Sequence, residues 1–324
     1  MPEPDSPMPE PDRQRPWRRR AGTAFLAVAV ILGVVLAARM VDPRAVSAMT
    51  RPEALPLLVG AVLANAAGVL LSWLSWRRLL AAVAAPAGFV TESRIFFVAF
   101  LGKYVPGRVW GVLAQLEIGR RAGIAAGPLM AVFLLGLATA ALTGAAVGLL
   151  AAPGLLGTSM VWLAAPVGAA VVGYLRPELV YRLVARAARL VRRPLPEQPP
   201  QRRAIRRSVT ASVASWAVGG LHLWLLAIAL GADPVAALPV CVGGFALAST
   251  AGMLVIVLPD GWGARDVLLG ALLVTVLPLP LAGTAALASR VVCVVSELAL
   301  SGGMLLAAEV RRRRLAPVLL GGVS

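Results

Sequence analysis

Two short charged interruptions separate apolar runs of this chain, and they hold the side chains best suited to bind an anion. The first interruption reads GKYVPGR at positions 102–108. Lys103 and Arg108 would lie beside backbone N–H groups freed by the turn, and Tyr104 adds a hydroxyl, which together favour binding of a phosphate or lipid headgroup. The alternative is a turn at the membrane surface whose cations extend to water.

The apolar runs on either side of the first interruption are each about ten residues long, roughly half of what a helix needs to cross a bilayer. Pro106 removes a backbone donor, and Gly102 and Gly107 permit turns that other residues resist. The pattern therefore predicts two half-helices over 92–123 that form a re-entrant segment, entering and leaving on one side. Lys103 is the one lysine among 31 basic residues, which favours a specific need for an ammonium there.

The second interruption reads LPDGWGARD at positions 258–266. Arg265 can offer a forked donor to phosphate, so we expect it to bind substrate. Asp266 precedes an apolar run and suits a helix N-terminus, and Arg265 could pair with either Asp260 or Asp266. A structural cap with a salt bridge explains both carboxylates at least as well as a substrate role does. The residues expected to break the helix here are Pro259, Gly261 and Gly263.

A third set of candidates lies in the last apolar run. Arg290 and Glu297 are seven residues apart and therefore share one helix face. A carboxylate so far inside an apolar segment needs a cation or a water-filled cavity. We expect Glu297 to contact substrate or to pair with Arg290, Arg265 or Lys103, and a purely structural ion pair is the alternative.

The composition is that of a polytopic membrane protein with an all-α fold. Of 324 residues, 59% are hydrophobic and only 14% are charged, and the mean hydropathy is +0.82. The net charge of +16 comes from arginines in short segments between apolar runs. That distribution indicates cytoplasmic loops that contact anionic lipid headgroups and argues against nucleic acid as a partner.

The order of apolar and basic segments predicts eight crossings plus the re-entrant segment, with both termini in the cytoplasm. A disordered basic tail is expected at 1–20, a transmembrane domain at 21–310 and a second tail at 311–324. Within the domain, 176–207 forms an Arg-rich cytoplasmic loop with an amphipathic helix at 179–191 on the anionic leaflet. The predicted crossings are 21–38, 54–76, 128–151, 160–175, 208–230, 235–258, the short 267–277 and 281–308.

Residues that commonly hold metals or act as nucleophiles are sparse. Cys241 and Cys293 lie within apolar runs and are expected to behave as small hydrophobic side chains. His222 is the one histidine, and packing with a hydrogen bond is the more ordinary role for it. The sequence lacks a Walker loop and the HExxH, CxxC and GxSxG motifs. We therefore expect no metal, no cofactor and no enzymatic activity.

The two interruptions resemble the motifs of a known family. GKYVPGRVWGVLAQLEIGRRAGI looks like the Gly-Lys-Tyr-x-Pro-Gly-Lys/Arg run of the lysylphosphatidylglycerol synthase transmembrane region, a flippase-like family. LPDGWGARD resembles its second motif, Pro-x-Gly-x-Gly-x-Arg-Glu, with Asp266 in place of the usual Glu. The resemblance covers roughly residues 21–310.

The resemblance implies a lipid translocator of the bacterial plasma membrane. Its substrate would be an anionic or aminoacylated phospholipid, or a lipid-linked envelope precursor. Fused members carry a synthase domain, and none follows Ser324 here, so we expect no synthase activity. The alternative is a non-transporting partner of an envelope glycosyltransferase or lipid synthase. The sequence leaves open whether such an enzyme or a second copy of the chain binds this protein.

Overall fold

A computed structural model describes residues 42–105, 109–154, 161–190, 201–254 and 259–320. The expected N-terminal tail and the first predicted crossing lie outside these residues. The described residues contain no strand, which agrees with the predicted all-α membrane fold. Four 3₁₀ turns occur within these residues, at Pro52–Ala54, Gly102–Tyr104, Leu149–Gly154 and Pro259–Gly261. The helices are α1 Pro43–Met49, α2 Leu55–Val83, α3 Gly88–Leu101, α4 Val109–Arg121, α5 Ala126–Gly148, α6 Val161–Leu175, α7 Pro177–Leu190, α8 Arg202–Ala229, α9 Pro234–Leu254, α10 Ala264–Leu273 and α11 Leu279–Leu320.

Within the described ranges, five helical segments are long and apolar enough to cross a bilayer, and each matches a predicted crossing. They are Pro52–Val83, Ala126–Ala151, Arg202–Ala229, Pro234–Met253 and Leu279–Arg314. Two further predicted crossings form the shorter helices α6 and α10, of 15 and 10 residues. At 1.5 Å per residue these are about 22 Å and 15 Å long, less than the roughly 30 Å of the hydrocarbon core. The total of eight crossings therefore stays a prediction.

The helices of the centre pack closely because glycines face one another. A Cβ placed on Gly68 of α2 would lie 2.7 Å from the Cα of Gly219 on α8, so only glycine fits at this crossing. Likewise, a Cβ on Gly220 would lie 2.8 Å from the Cα of Val242 on α9. The hydroxyl of Ser215 donates to the carbonyl of Gly68 at 2.7 Å. These contacts pack α2, α8 and α9 closely together.

The segment predicted to be re-entrant is a tight hairpin of α3 and α4. A Cβ on Gly102 would lie 2.6 Å from the backbone nitrogen of Gly111, and one on Gly111 would lie 2.6 Å from the carbonyl oxygen of Ala99. The two short helices therefore touch backbone to backbone just beyond the turn. Pro106 and Gly107, two of the predicted breaks, lie outside the described residues.

Aromatic rings anchor this hairpin to α2. Trp73 and Trp76 of α2 are buried, at 9% and 7% exposure. Trp73 packs against Phe97, with ring centroids 5.9 Å apart, and Trp76 packs against Phe96 at 5.7 Å. The hairpin is therefore held by an aromatic cluster within the protein.

Candidate functional site

Lys103 lies in the turn between α3 and α4, and its ammonium contacts two carboxylates from other parts of the chain. Its Nζ is 2.7 Å from Glu297 Oε2 on α11 and 3.5 Å from Asp260 Oδ1 in the second interruption. The ring of Phe100 lies 4.5 Å from the same nitrogen and that of Tyr104 lies 5.1 Å from it. Two carboxylates and two aromatic rings thus surround one primary amine.

Glu297 receives a second hydrogen bond from the same turn, because the Tyr104 hydroxyl donates to its Oε2 at 2.5 Å. The Glu297 side chain is 6% exposed, whereas that of Lys103 is 24% exposed. The carboxylate is therefore enclosed by protein, and the amine lies at the more open edge. This geometry ties the turn between α3 and α4 directly to the middle of α11.

Asp260 joins the two interruptions because it contacts one cation from each of them. Arg265 Nη1 lies 3.2 Å from Asp260 Oδ2, on the carboxyl oxygen opposite the one that faces Lys103. The Arg265 guanidinium stacks over the ring of Phe245 at 5.4 Å, and its Nη2 donates to Cys293 Sγ at 3.4 Å. Its Nε is buried and has no hydrogen-bond partner among the described residues.

The backbone of the second interruption takes positive φ values at three positions. Asp260, Gly261 and Gly263 have φ values of 47°, 66° and 82°. A Cβ on Gly261 would lie 2.6 Å from the Cα of Gly252 on α9, so the loop rests on the α9 backbone. An ordinary side chain fits neither the φ value nor the space, which explains glycine at position 261.

Asp266 fixes the start of α10 rather than facing Lys103. Its carboxylate accepts a bidentate pair of hydrogen bonds from Arg290 of α11, at 3.0 Å and 2.8 Å, and one from the Gly263 N–H at 3.1 Å. The guanidinium of Arg290 also lies 5.5 Å from the ring of Trp262. Arg290 therefore pairs with Asp266. Glu297 pairs with Lys103, which is one of the three cations that the sequence offered as its partner.

A buried chain of polar groups continues from Arg265 into α2 and α8. The Cys293 thiol lies 3.6 Å from Asn65 Oδ1 and 3.7 Å from His222 Nε2, and Asn65 Nδ2 donates to Ser296 at 2.7 Å. His222 Nδ1 lies 2.5 Å from the Gly219 carbonyl, which can only accept, so this nitrogen carries the proton. The sequence analysis did not predict this network. The feature of the sequence that points to it is the presence of isolated polar residues within apolar spans.

The structure brings together most of the residues chosen from the sequence. Lys103, Asp260, Arg265 and Glu297 form one set of contacts, hereafter the charged cluster, which has two positive and two negative groups. Tyr104 borders the cluster, and Asp266 lies behind it. Arg108 lies outside the described residues. Gln115, also near the first interruption, donates to the Leu129 carbonyl at 2.7 Å and serves helix packing.

Comparison with known proteins identifies the family. The model of the lysylphosphatidylglycerol synthase TM region matches residues 24–300, which is most of the chain and includes both interruptions. The chain belongs to the lysylphosphatidylglycerol synthase TM region family. Searches of curated proteins and of solved structures give no significant match. Membership, together with the five apolar spans, makes this a multi-pass membrane protein of a lipid-related family.

In this member of the lysylphosphatidylglycerol synthase TM region family, Arg290 acts as a clamp on Asp266. We expect Arg290→Lys to lower the free energy of unfolding by about 1–2 kcal/mol, because lysine cannot form the two parallel hydrogen bonds of the guanidinium. Unfolding in mixed micelles containing SDS measures the change. The control is Arg312→Lys, whose bidentate contact with Glu309 is exposed and should contribute less than about 0.5 kcal/mol. Equal effects of the two substitutions would contradict the clamp.

Proposed function

We propose that this protein is a flippase-like lipid translocator of the bacterial plasma membrane, with both termini in the cytoplasm and no enzymatic activity of its own. Its substrate is an anionic or aminoacylated phospholipid, or a lipid-linked envelope precursor. The observation that carries the proposal is the position of Lys103, between two carboxylates where the two interruptions meet. Family membership supports a lipid-related role, and the charged cluster supports a site for a polar headgroup.

The physical problem of lipid translocation is to move a charged headgroup through a region where unpaired charges are costly. The charged cluster offers partners of both signs within a few ångströms. Lys103 and Arg265 suit a phosphate, with Arg108 as a further candidate, and Glu297 and Asp260 suit a headgroup amine. Each lipid contact replaces an ion pair that already exists, so few charges are left unpaired during exchange. The acyl chains remain in the surrounding lipid.

Asp266 has a supporting part in this proposal. Its two hydrogen bonds from Arg290 and its cap on Gly263 hold the loop that carries Asp260 and Arg265. An aspartate can form these hydrogen bonds although it is shorter than the glutamate of the family motif, because the long Arg290 side chain extends to it from α11. Breaks in the helices also position the charged cluster, because they allow the two interruptions to meet. These breaks are at Gly102, Pro259, Gly261 and Gly263.

The Arg-rich loop is proposed to contact the anionic leaflet. The amphipathic pattern at 179–191 lies on α7, which spans Pro177–Leu190. Leu183 is 64% exposed on this helix, and Arg182, Arg186 and Arg189 occupy positions spaced by three or four residues. Exposed leucine beside regularly spaced arginines is typical of a helix that lies in a headgroup layer.

Reconstitution into vesicles tests translocation. We expect the purified protein to make fluorescent phosphatidylglycerol in the inner leaflet accessible to dithionite. The double variant Lys103→Ala, Arg265→Ala should lose at least tenfold in rate, because a single charge-assisted contact contributes about 1.5–3 kcal/mol. The matched control is Arg120→Ala, Arg121→Ala, which removes two exposed cations of α4.

Equal translocation by wild type and the Lys103, Arg265 double variant would refute the proposed site. A wild-type protein that moves no lipid but copurifies with an envelope glycosyltransferase or lipid synthase would refute transport. That result would instead support the role of a non-transporting partner.

A further inference from the structure

The two carboxylates of the charged cluster differ in how many cations they contact. Asp260 contacts two, Lys103 at 3.5 Å and Arg265 at 3.2 Å. For Glu297, the salt-bridge partner among the described residues is Lys103. If Lys103 turns towards a lipid phosphate, Asp260 keeps Arg265, whereas the one contact left to Glu297 from the described residues is the hydrogen bond from Tyr104.

A phosphate bound by Lys103 would bring a second negative charge next to Glu297. The Glu297 side chain is 6% exposed, so water can screen this repulsion only weakly. Two negative groups that share a buried site do not both remain ionised when a proton is available. The repulsion is removed at the lowest free-energy cost when Glu297, the carboxylate that has lost its cation, takes up a proton.

We propose that binding of an anionic lipid headgroup is coupled to the uptake of about one proton by Glu297. The inference rests on the proposed function, in that Lys103 is taken to bind the lipid phosphate. The proton adds to one carboxylate oxygen of Glu297 and comes from the aqueous phase. When the lipid leaves, Lys103 returns to Glu297 and the proton is released. A proton gradient would then bias the movement of anionic lipids.

The surroundings of Glu297 single it out as the proton acceptor. The titratable and charged groups that contact it are Lys103 and Tyr104 from the first interruption. Beyond them lie Asp260, which contacts Lys103, then Arg265, Cys293 and His222 in sequence, while Arg290 of α11 pairs with Asp266. Of the other two carboxylates, Asp260 retains Arg265 and Asp266 retains Arg290. Both therefore keep a cation while Lys103 is occupied, whereas Glu297 contacts no other cation in the part of the chain that the structure describes.

The coupling depends on headgroup charge, which gives a selectivity test. A zwitterionic lipid brings its own ammonium, which can take the place of the Lys103 amine beside Glu297. We therefore expect no net proton uptake when such a headgroup binds. An anionic headgroup brings no cation, and Glu297 must be neutralised by a proton.

Calorimetric titration of the full-length protein in detergent measures the coupling. Short-chain phosphatidylglycerol is titrated at one pH in two buffers whose protonation enthalpies differ, and the difference in heat gives the number of protons taken up. We expect about one proton for phosphatidylglycerol and about none for short-chain phosphatidylcholine. Phosphatidylglycerol binding without proton uptake overturns the coupling but leaves the proposed function intact. Absence of any lipid binding overturns both.

Two substitutions on α11 locate the proton. Glu297→Gln imitates the protonated carboxyl group and keeps an acceptor for the Tyr104 hydroxyl, so it should bind phosphatidylglycerol with no proton uptake. The matched control is Glu309→Gln. Glu309 pairs with the exposed Arg312 and Arg313 at the end of α11, so this variant should take up protons as wild type does. Wild-type proton uptake by Glu297→Gln overturns the assignment. If Glu297→Gln does not fold, the comparison of the two lipids with wild type still decides whether coupling exists.

Discussion

Replacing Lys103 by methionine is expected to lower the free energy of unfolding by on the order of 3 kcal/mol. Methionine keeps the length and most of the volume of lysine but removes the charge. Glu297, 6% exposed, then has no cation in contact among the described residues. An uncompensated buried charge is costly, and that cost exceeds the net benefit of the original ion pair. Unfolding in SDS-containing mixed micelles measures the loss.

A double-mutant cycle separates this charge effect from altered packing. Glu297→Gln in the Lys103→Met background removes the stranded charge, so the double variant should recover at least about 1 kcal/mol relative to the sum of the single changes. Arg313→Met is the control, because its salt bridge to Glu309 is 78% exposed on the arginine side and should contribute less than about 0.5 kcal/mol. Additive effects at Lys103 and Glu297 would show that the contact is energetically unimportant.

The meeting of the two interruptions follows from features visible in the sequence. Proline and glycine beside charged residues within apolar runs predict broken helices, and cations inside a membrane segment require anionic partners. The chain has few carboxylates in its apolar part, so Asp260, Asp266 and Glu297 were the available partners for Lys103 and Arg265. Composition and charge therefore narrow the choice of partners to a small set.

The pairing within that set depends on distances that a sequence does not contain. Arg290 and Glu297 share a face of α11, but seven residues correspond to about 10.5 Å along the axis, too far for direct contact. Arg290 instead reaches Asp266 on the neighbouring loop, which leaves Glu297 for Lys103. Between the two carboxylates the backbone takes positive φ values at Asp260, Gly261 and Gly263, a path that spacing in the sequence does not specify.

The ends of the helices and the points where helices cross closely could not be predicted from the sequence either. α11 runs on through the arginines at 311–314 to Leu320, because an arginine-rich segment is a good helix former whose side chains reach water along the helix surface. With 32 glycines in the chain, nothing marks Gly68, Gly111 or Gly220 as contact points. Their role appears only where another backbone comes within van der Waals distance.

The glycine that supports the charged cluster is expected to be the least tolerant of substitution. Gly261→Ala should lower the free energy of unfolding by on the order of 2–4 kcal/mol and reduce lipid translocation at least tenfold. The φ value of 66° disfavours any side chain, and the new Cβ would lie 2.6 Å from Gly252 Cα and 2.9 Å from its carbonyl oxygen. Backbone atoms cannot rotate away, so the loop must shift and carry Asp260 and Arg265 with it. Unfolding in mixed micelles and the dithionite assay measure the two effects.

Two alanine substitutions nearby separate the effect of backbone conformation from that of close packing. Gly263 has φ and ψ values of 82° and −64°, but a Cβ added there would meet open space, so Gly263→Ala should cost only the conformational strain, about 1–3 kcal/mol. Gly270 lies inside α10 with no atom within 4 Å of such a Cβ, so Gly270→Ala should be neutral or stabilising by up to about 1 kcal/mol. If Gly261→Ala resembles Gly263→Ala in stability and transport, contact with the α9 backbone does not position the cluster. A larger loss at position 261 would instead show that this backbone contact holds Asp260 within reach of Lys103.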